Sequence, residues 1–216
     1  MTIKTPIGIY GGTFDPIHYG HLRPNLELCE RYEFDHVRFI PSFSPPHRDQ
    51  PHTSALQRYE MVAQAIHLES RFVLDDREMK RGGSSYMVDT LKSLRQEFPQ
   101  HPLCLLLGMD AFLGLDHWYH WQEILTYAHI IVSQRPDTDF YSSTQCSPTM
   151  QNLYQTHQAD QERIRQSLCG AIRLENVTQL AISATDIRHR VKNNQSIRFL
   201  MPEAVINLIK CYDLYT

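Results

Sequence analysis

A short apolar run, a glycine turn and an amphipathic segment, in that order, most constrain the fold of this 216-residue chain. Ile7–Tyr10 has the composition of a buried strand and leads into "GGTFDPIHYGHL", residues 11–22. His21–Tyr32 then places apolar side chains at helical spacing. A strand that ends in a glycine turn before a helix is typical of phosphate-binding turns in α/β proteins. The opening segment therefore predicts an α/β fold that binds an anion.

The alternation of short apolar runs with longer amphipathic segments continues along the chain. The further predicted strands are Val37–Ile40, Phe72–Leu74, Leu103–Leu107, Ile130–Ser133, Ile172–Leu174 and Leu180–Ile182. The further predicted helices are Ala55–His67, Tyr86–Phe98, Thr185–Val191 and Pro202–Cys211. The segment "DDREMKRGGSS", residues 75–85, is interpreted as a polar connection. This alternation favours a Rossmann-like, doubly wound parallel sheet with a small C-terminal helical part.

The length of the chain suits a single domain. We expect a core over about residues 1–134, a variable or exposed helical segment over about 135–170, and C-terminal helices over about 171–216. A ligand site is expected beyond the carboxyl ends of the strands, where the strand order switches. The glycine turn after the first predicted strand lies at such a place.

Composition and charge argue against some classes of binding partner and some locations. A net charge of −3 argues against a general nucleic-acid binder, which usually carries a basic face. No apolar run reaches the roughly 20 residues of a membrane span. Five widely spaced cysteines without a C-x-x-C pattern indicate free thiols, and we expect a cytoplasmic protein. The sequence leaves the oligomeric state open.

The glycine turn offers phosphate chemistry without a lysine. Gly11 and Gly12 allow a ligand to approach the backbone N–H groups, and the following helix adds its positive N-terminal dipole. Neither a lysine-bearing P-loop nor a G-x-G-x-x-G pattern is present. His18 and His21, three positions apart, can donate N–H groups to phosphate oxygens and stabilise charge during phosphoryl-type transfer.

Other interpretations of this spacing remain. Taken alone, an H-x-x-H pattern is more often a helix N-terminus with two surface histidines, and His117–His120 repeats the spacing. Zinc is a further option, but no third and fourth ligands stand at a fitting spacing, so no metal site is predicted.

Two long motifs nevertheless carry a family resemblance. "GGTFDPIHYGHL" resembles the H-x-G-H signature of the nucleotidyltransferase superfamily, and "ISATDIRHRV" (182–191) is similar to its second signature. Five further stretches resemble bacterial nicotinate mononucleotide adenylyltransferases in order and spacing: "IPSFSPPHR" (40–48), "SSYMVDTL" (84–91), "LLLGMDAF" (105–112), "WYHWQEIL" (118–125) and "AHIIVSQRP" (128–136). The resemblance covers nearly the whole chain except residues 137–170.

The resemblance implies a reaction and its ligands. ATP, with Mg²⁺, and nicotinate mononucleotide would give deamido-NAD and pyrophosphate in NAD biosynthesis, by direct attack on the α-phosphorus. His18, His21 and Arg188 would be catalytic, and Arg188 would supply the positive charge that the first motif lacks. The residues implied to bind ATP are Gly11, Gly12, Thr13, Phe14, Gly108, Asp110, Ser183, Thr185 and Arg188.

The mononucleotide pocket is likewise implied by the resemblance. Its implied residues are Ser85, Tyr86, Met87 and Trp118 around the nicotinate ring, and His47, Arg48 and Arg135 as candidates for its phosphate. Taken alone, Trp118 is more typical of a core residue and Asp110 equally of a helix N-cap. Met87 departs from the threonine usual in the family, which bears on selectivity between acid and amide.

Several alternatives stay open at the level of sequence. The acceptor could instead be nicotinamide mononucleotide, alone or alongside the nicotinate form, or it could be phosphopantetheine or a sugar or polyol phosphate. A nucleotide-binding regulator without turnover would be expected to carry altered signatures, whereas both are intact. A tRNA-binding synthetase fragment is disfavoured by the acidic balance and by the lack of an anticodon-binding domain.

Overall fold

The fold is described from a computed structural model that covers residues 3–45, 51–134 and 146–216. Its strands are β1 (Ile7–Gly12), β2 (Val37–Pro41), β3 (Phe72–Leu74), β4 (Leu103–Gly108), β5 (His129–Gln134) and β6 (Ile172–Asn176). Its helices are α1 (Tyr19–Tyr32), α2 (Ala55–Ile66), α3 (Arg77–Arg81), α4 (Met87–Glu97), α5 (Met109–Leu113), α6 (Ile124–Tyr127), α7 (Pro148–His157), α8 (Gln161–Gln166), α9 (Ala184–Lys192) and α10 (Glu203–Cys211). Short 3₁₀ turns lie at Leu115–His117 and Trp121–Glu123.

The six strands form one parallel sheet in the order β3-β2-β1-β4-β5-β6. The order reverses between β1 and β4, where Ile7 pairs with Leu103 and Ile9 with Leu105. The connection after β1 runs to one side of the sheet and the connection leading out of β4 to the other, so a crevice opens at their carboxyl ends. The predicted doubly wound α/β class is confirmed.

Side-chain alternation divides the core into two layers, one on each face of the sheet. In β4, Cys104 and Leu106 belong to the layer that also holds residues of α1, α2 and α10. Leu103, Leu105 and Leu107 belong to the opposite layer, with residues of α4, α5 and α6. Because both faces are covered, β4 is apolar along its whole length, as buried parallel strands are. Loss of a buried leucine such as Leu105 to alanine would cost about 2–5 kcal/mol.

Two predictions about secondary structure were wrong. The polar connection 75–85 contains α3, since Arg77, Glu78 and Lys80 are good helix formers and the helix ends at Gly82, whose φ is 67°. Leu180–Ile182 is not a strand, because β6 already occupies the sheet edge beside β5 and this segment leaves the sheet toward α9.

The segment between β5 and β6 was predicted to be a variable or exposed helical region. Residues 135–145 lie outside the described residues. The remainder contains α7 and α8, and Met150 and Ile164 each turn a buried side chain toward the core. The helical interpretation is therefore confirmed for this part, although these helices are only partly exposed. In the described part of the chain, no helix is long and apolar enough to cross a membrane.

Candidate active site

A cleft of about 1260 Å³ lies at the carboxyl end of the sheet, over the point where the strand order reverses. Segments that are distant in the sequence contribute to it: the turn after β1, the loop after β2, the residues before α4, the end of β4 and the first turns of α9. Of the residues implied to bind ATP, those that line it are Gly11, Gly12, Thr13, Phe14, Gly108, Asp110, Thr185 and Arg188. Of those implied for the mononucleotide, Ser85, Tyr86, Met87 and Trp118 line it.

The two histidines of the first motif occupy different depths. His21 lines the cleft, whereas His18 lies behind it and is only 5% exposed. Their rings stack with centroids 3.7 Å apart and planes inclined by 27°. The backbone N–H of His18 donates to Nδ1 of His21 at 3.2 Å, which assigns the proton of a neutral His21 ring to Nε2.

Burial governs the charge of the inner histidine. Desolvation lowers the pKa of His18 to about 4, so this ring is neutral near pH 7 when the cleft holds no anion. Gly20 has to be a glycine, because a Cβ there would lie 2.9 Å from Nδ1 of His18 and 3.3 Å from the carbonyl oxygen of Ile182. The glycine of the first signature therefore allows the second signature to pass close to the histidine pair.

Arg188 brings a positive charge into the cleft from α9. Its Nη1 donates to the backbone carbonyl of Asp15 at 2.7 Å, and its Nη2 donates to Oγ1 of Thr185 at 3.2 Å. Ser183 caps the same helix, since its Oγ accepts a hydrogen bond from the N–H of Asp186 at 3.0 Å. Ser183 thus supports α9 and does not line the cleft, whereas Thr185 does.

Residues around the start of α4 form another wall of the cleft. Ser85 fastens this wall to the loop after β2, because its Oγ accepts hydrogen bonds from the N–H groups of Phe43 (2.8 Å) and Ser44 (3.2 Å). The Tyr86 ring lies 4.3 Å from that of Tyr119, centroid to centroid. Met87 reaches across to β1, since a Cβ on Gly11 would come within 2.4 Å of its methyl group.

Trp118 fits both of its interpretations, whereas Asp110 fits only one. Trp118 lines the cleft and also packs against the core layer of α4 and α5, so its two interpretations hold together. Gly108 occupies the N-cap position of α5, so the N-cap interpretation of Asp110 is wrong; Asp110 lies in the first turn of that helix and lines the cleft. His47, Arg48 and Arg135 lie outside the described residues.

Sequence reasoning missed a buried arginine beneath the cleft. Arg58 is 1% exposed, and its Nη1 donates to the carbonyls of Thr13 (2.8 Å) and Ser42 (2.6 Å). Its Nη2 donates to the carbonyl of Phe43 at 3.2 Å. Arg58 therefore ties the turn after β1 to the loop after β2. The available signal was its place on the apolar face of α2, at helical spacing from Met61 and Val62.

Comparison with known proteins agrees with this geometry. The model of the cytidylyltransferase-like family matches residues 9–190. A probable nicotinate-nucleotide adenylyltransferase of Methylococcus capsulatus is 44% identical over 210 residues, which cover 97% of this chain and 99% of the relative. Another from Pseudomonas syringae pv. tomato is 43% identical over 215 residues, covering 99% and 95% of the two chains.

Solved structures show the same fold. Plasmodium falciparum nicotinic acid mononucleotide adenylyltransferase complexed with APC superposes with a TM-score of 0.70 at 19% identity, covering 98% of each chain. The same enzyme complexed with NaAD gives a TM-score of 0.69 at 19% identity, again with 98% coverage of each chain. The sheet order, the cleft and the family model together define a nucleotidyltransferase. Within that class, the chain belongs to the family of nicotinate-nucleotide adenylyltransferases.

Proposed function

We propose that this chain transfers the adenylyl group of ATP to nicotinate mononucleotide and releases deamido-NAD and pyrophosphate. The observation that carries the proposal is that His21, Arg188 and the glycine turn line one cleft at the reversal of the strand order. Relatives that span nearly the whole chain have this activity in their names.

The chemistry follows from the placement of these groups. A phosphate oxygen of the mononucleotide attacks the α-phosphorus of ATP, a new P–O bond forms there, and the bond to the bridging oxygen of pyrophosphate breaks. Negative charge grows on the equatorial oxygens and on the leaving group. His21, through Nε2–H, and Arg188 stabilise that charge in position, so no covalent enzyme intermediate is needed.

The acceptor is proposed to occupy the side of the cleft near α4. The start of α4 is proposed to receive the nicotinate carboxylate, with the helix dipole in support. Trp118 offers its indole face to the pyridine ring. An anion-binding pocket of this kind would reject the neutral amide, because an amide nitrogen cannot accept those hydrogen bonds.

Mg²⁺ is proposed to enter with ATP, where it neutralises phosphate charge. Within residues 3–45, 51–134 and 146–216, no group of three or more His, Cys, Asp or Glu side chains is arranged to hold a metal ion. An ion bound mainly by phosphate oxygens and water, as is usual for Mg²⁺, needs few protein ligands. We further propose a reducing, cytoplasmic location, in keeping with the five free cysteines.

The experiment follows pyrophosphate release from ATP and Mg²⁺ with nicotinate or nicotinamide mononucleotide supplied separately. We expect kcat/KM to favour the acid by about 100-fold or more. Comparable values would make the enzyme dual-specific, and no release with either acceptor would refute the proposal. The His21→Ala variant, assayed in parallel, shows that the activity belongs to this chain.

A further inference from the structure

The carboxylate of Asp15, directly behind the glycine turn, accepts three hydrogen bonds from two separate parts of the chain. Its Oδ2 accepts from the backbone N–H of His52 at 2.8 Å. Its Oδ1 accepts from the hydroxyl of Thr53 at 2.8 Å and from the hydroxyl of Tyr215 at 2.7 Å. Asp15 is only 6% exposed, so these donors replace the water that a carboxylate normally binds.

The same residue holds the arginine of the cleft. The backbone carbonyl of Asp15 accepts the 2.7 Å hydrogen bond from Arg188, whose other terminal nitrogen bonds Thr185. The three side-chain bonds fix the orientation of Asp15, and that orientation determines where its carbonyl points. Tyr215 is therefore connected to the guanidinium of Arg188 through one intervening residue.

Tyr215 reaches Asp15 through a backbone conformation that is costly for its residue type. Its φ is 67°, and Asp213 has a φ of 51°, so the chain turns sharply after α10. Between them, the buried Leu214 anchors the segment, and its N–H donates to the carbonyl of Ile209 at 2.9 Å. Left-handed backbone at a tyrosine persists only where the surroundings enforce it, and such positions concentrate at functional sites.

The hydroxyl of Tyr215 is a permanent donor. Burial and the adjacent Asp15 carboxylate raise the pKa of Tyr215 well above its usual value. The proton thus stays on the phenol at every pH at which an enzyme of this kind would work.

We propose that Tyr215 is a positioning residue for the polyphosphate of ATP, acting through Asp15 to hold the guanidinium of Arg188 in the cleft. This deepens the proposed function and rests on it for the identity of the nucleotide. Tyr215 does not line the cleft, so the hydroxyl acts without contact to substrate.

The test measures binding of ATP and of AMP by calorimetry, with no acceptor present. The variant Tyr215→Phe should bind ATP about three- to thirtyfold more weakly, the range of couplings carried by a packed network. AMP lacks the β- and γ-phosphates, so its affinity should stay the same. Tyr212→Phe is the matched control, because that hydroxyl is exposed and bonds Glu60 at 2.8 Å.

A double-mutant cycle separates positioning from general stability. In the Arg188→Ala background, Tyr215→Phe should have no further effect on ATP affinity, since the group that it positions is gone. An equal loss of ATP and AMP affinity, an additive loss in the cycle, or unchanged ATP binding would each overturn the inference. Thr53→Val removes a second donor to the same oxygen and should reproduce the ATP-specific loss if Tyr215→Phe does not fold.

These binding measurements do not depend on which acceptor the enzyme uses. If the wild-type protein binds ATP but does not adenylylate nicotinate mononucleotide, the proposed function fails while the role of Tyr215 is still decided. If wild-type ATP binding is no stronger than AMP binding, Arg188 does not hold the outer phosphates and the inference fails.

Discussion

The imidazole rings of His18 and His21 stack 3.7 Å apart, and only His21 reaches the cleft. His18 therefore supports the orientation of His21 and places a second polar ring behind it. The N–H donors of such a pair stabilise the phosphates most when negative charge develops on them during transfer.

Replacing either histidine should act on turnover. We expect His21→Ala and His18→Ala to lower kcat about 100-fold or more, while KM for ATP changes by less than about threefold. Steady-state kinetics with varied ATP provide the measurement. His117→Ala, from the exposed second H-x-x-H pattern, should leave both constants unchanged. A change confined to KM would contradict the role of the pair.

Arg58 should matter for both stability and binding. Arg58→Met leaves the carbonyls of Thr13, Ser42 and Phe43 without their donor, so we expect the free energy of unfolding to fall by about 2–4 kcal/mol. The KM values of both substrates should rise because both loops lose their anchor. Urea unfolding and initial rates test this, with Arg23→Ala as the control from an exposed ion pair that is worth about 0.5 kcal/mol.

Ser85 should affect one substrate more than the other. Ser85→Ala removes the acceptor that holds the loop after β2 against the residues before α4. We expect KM for the mononucleotide to rise about three- to tenfold, as for the loss of one hydrogen bond, with little change for ATP. Ser84→Ala is the neighbouring control, since Ser84 is exposed. Equal effects on both substrates would place Ser85 outside the acceptor pocket.

His129 should make stability depend on pH. Burial lowers its pKa to about 4, and both ring nitrogens are bonded: Nε2 to the carbonyl of Ser167 at 2.8 Å, and Nδ1 to the N–H of Ala171 at 3.1 Å. A proton on Nδ1 would destroy the second bond. Between pH 6.5 and about 4 the unfolded chain binds this proton and the folded chain does not, so stability falls as the pH is lowered.

The corresponding measurement is urea unfolding at pH 7 and pH 5. His129→Gln should lose less stability over this interval than the wild-type protein, by about 1.4 kcal/mol for each pH unit below 6.5. His117→Gln, whose side chain is 83% exposed, should match the wild-type slope. Parallel pH profiles for wild type and His129→Gln would show that the buried ring does not titrate as described.

The fold could be predicted from the sequence because the patterns that indicate its strands and turns are local. The apolar run Leu103–Leu107 and the glycine turn after Ile7–Tyr10 needed no tertiary information to be interpreted, and the resemblance then placed the remaining segments. The strand predicted at Leu180–Ile182 was wrong, because three apolar residues do not distinguish a strand from an extended segment that leads into a helix.

The contacts that organise the site could not be predicted from the sequence, because they join distant parts of the chain. Arg58 and Tyr215 act through backbone carbonyls and a buried carboxylate that belong to distant parts of the chain. Every residue has a backbone carbonyl, so the partner of a side chain that donates to a carbonyl cannot be recognised by its residue type. A single sequence therefore does not reveal such a contact. The depth difference between His18 and His21 likewise depends on how Gly20 and Ile182 pack.

The hydrogen bond from Arg188 to the carbonyl of Asp15 spans 173 positions of the chain. During translation, the glycine turn leaves the ribosome long before the arginine is added. Every unfinished polypeptide that stops short of α9 thus lacks Arg188, the cation that we propose for the phosphate site. The closure of so long a loop is among the slower events in folding. On the proposed role of Arg188, we expect this chain to bind nucleotide only late in its biogenesis, after the two distant signatures have come into contact.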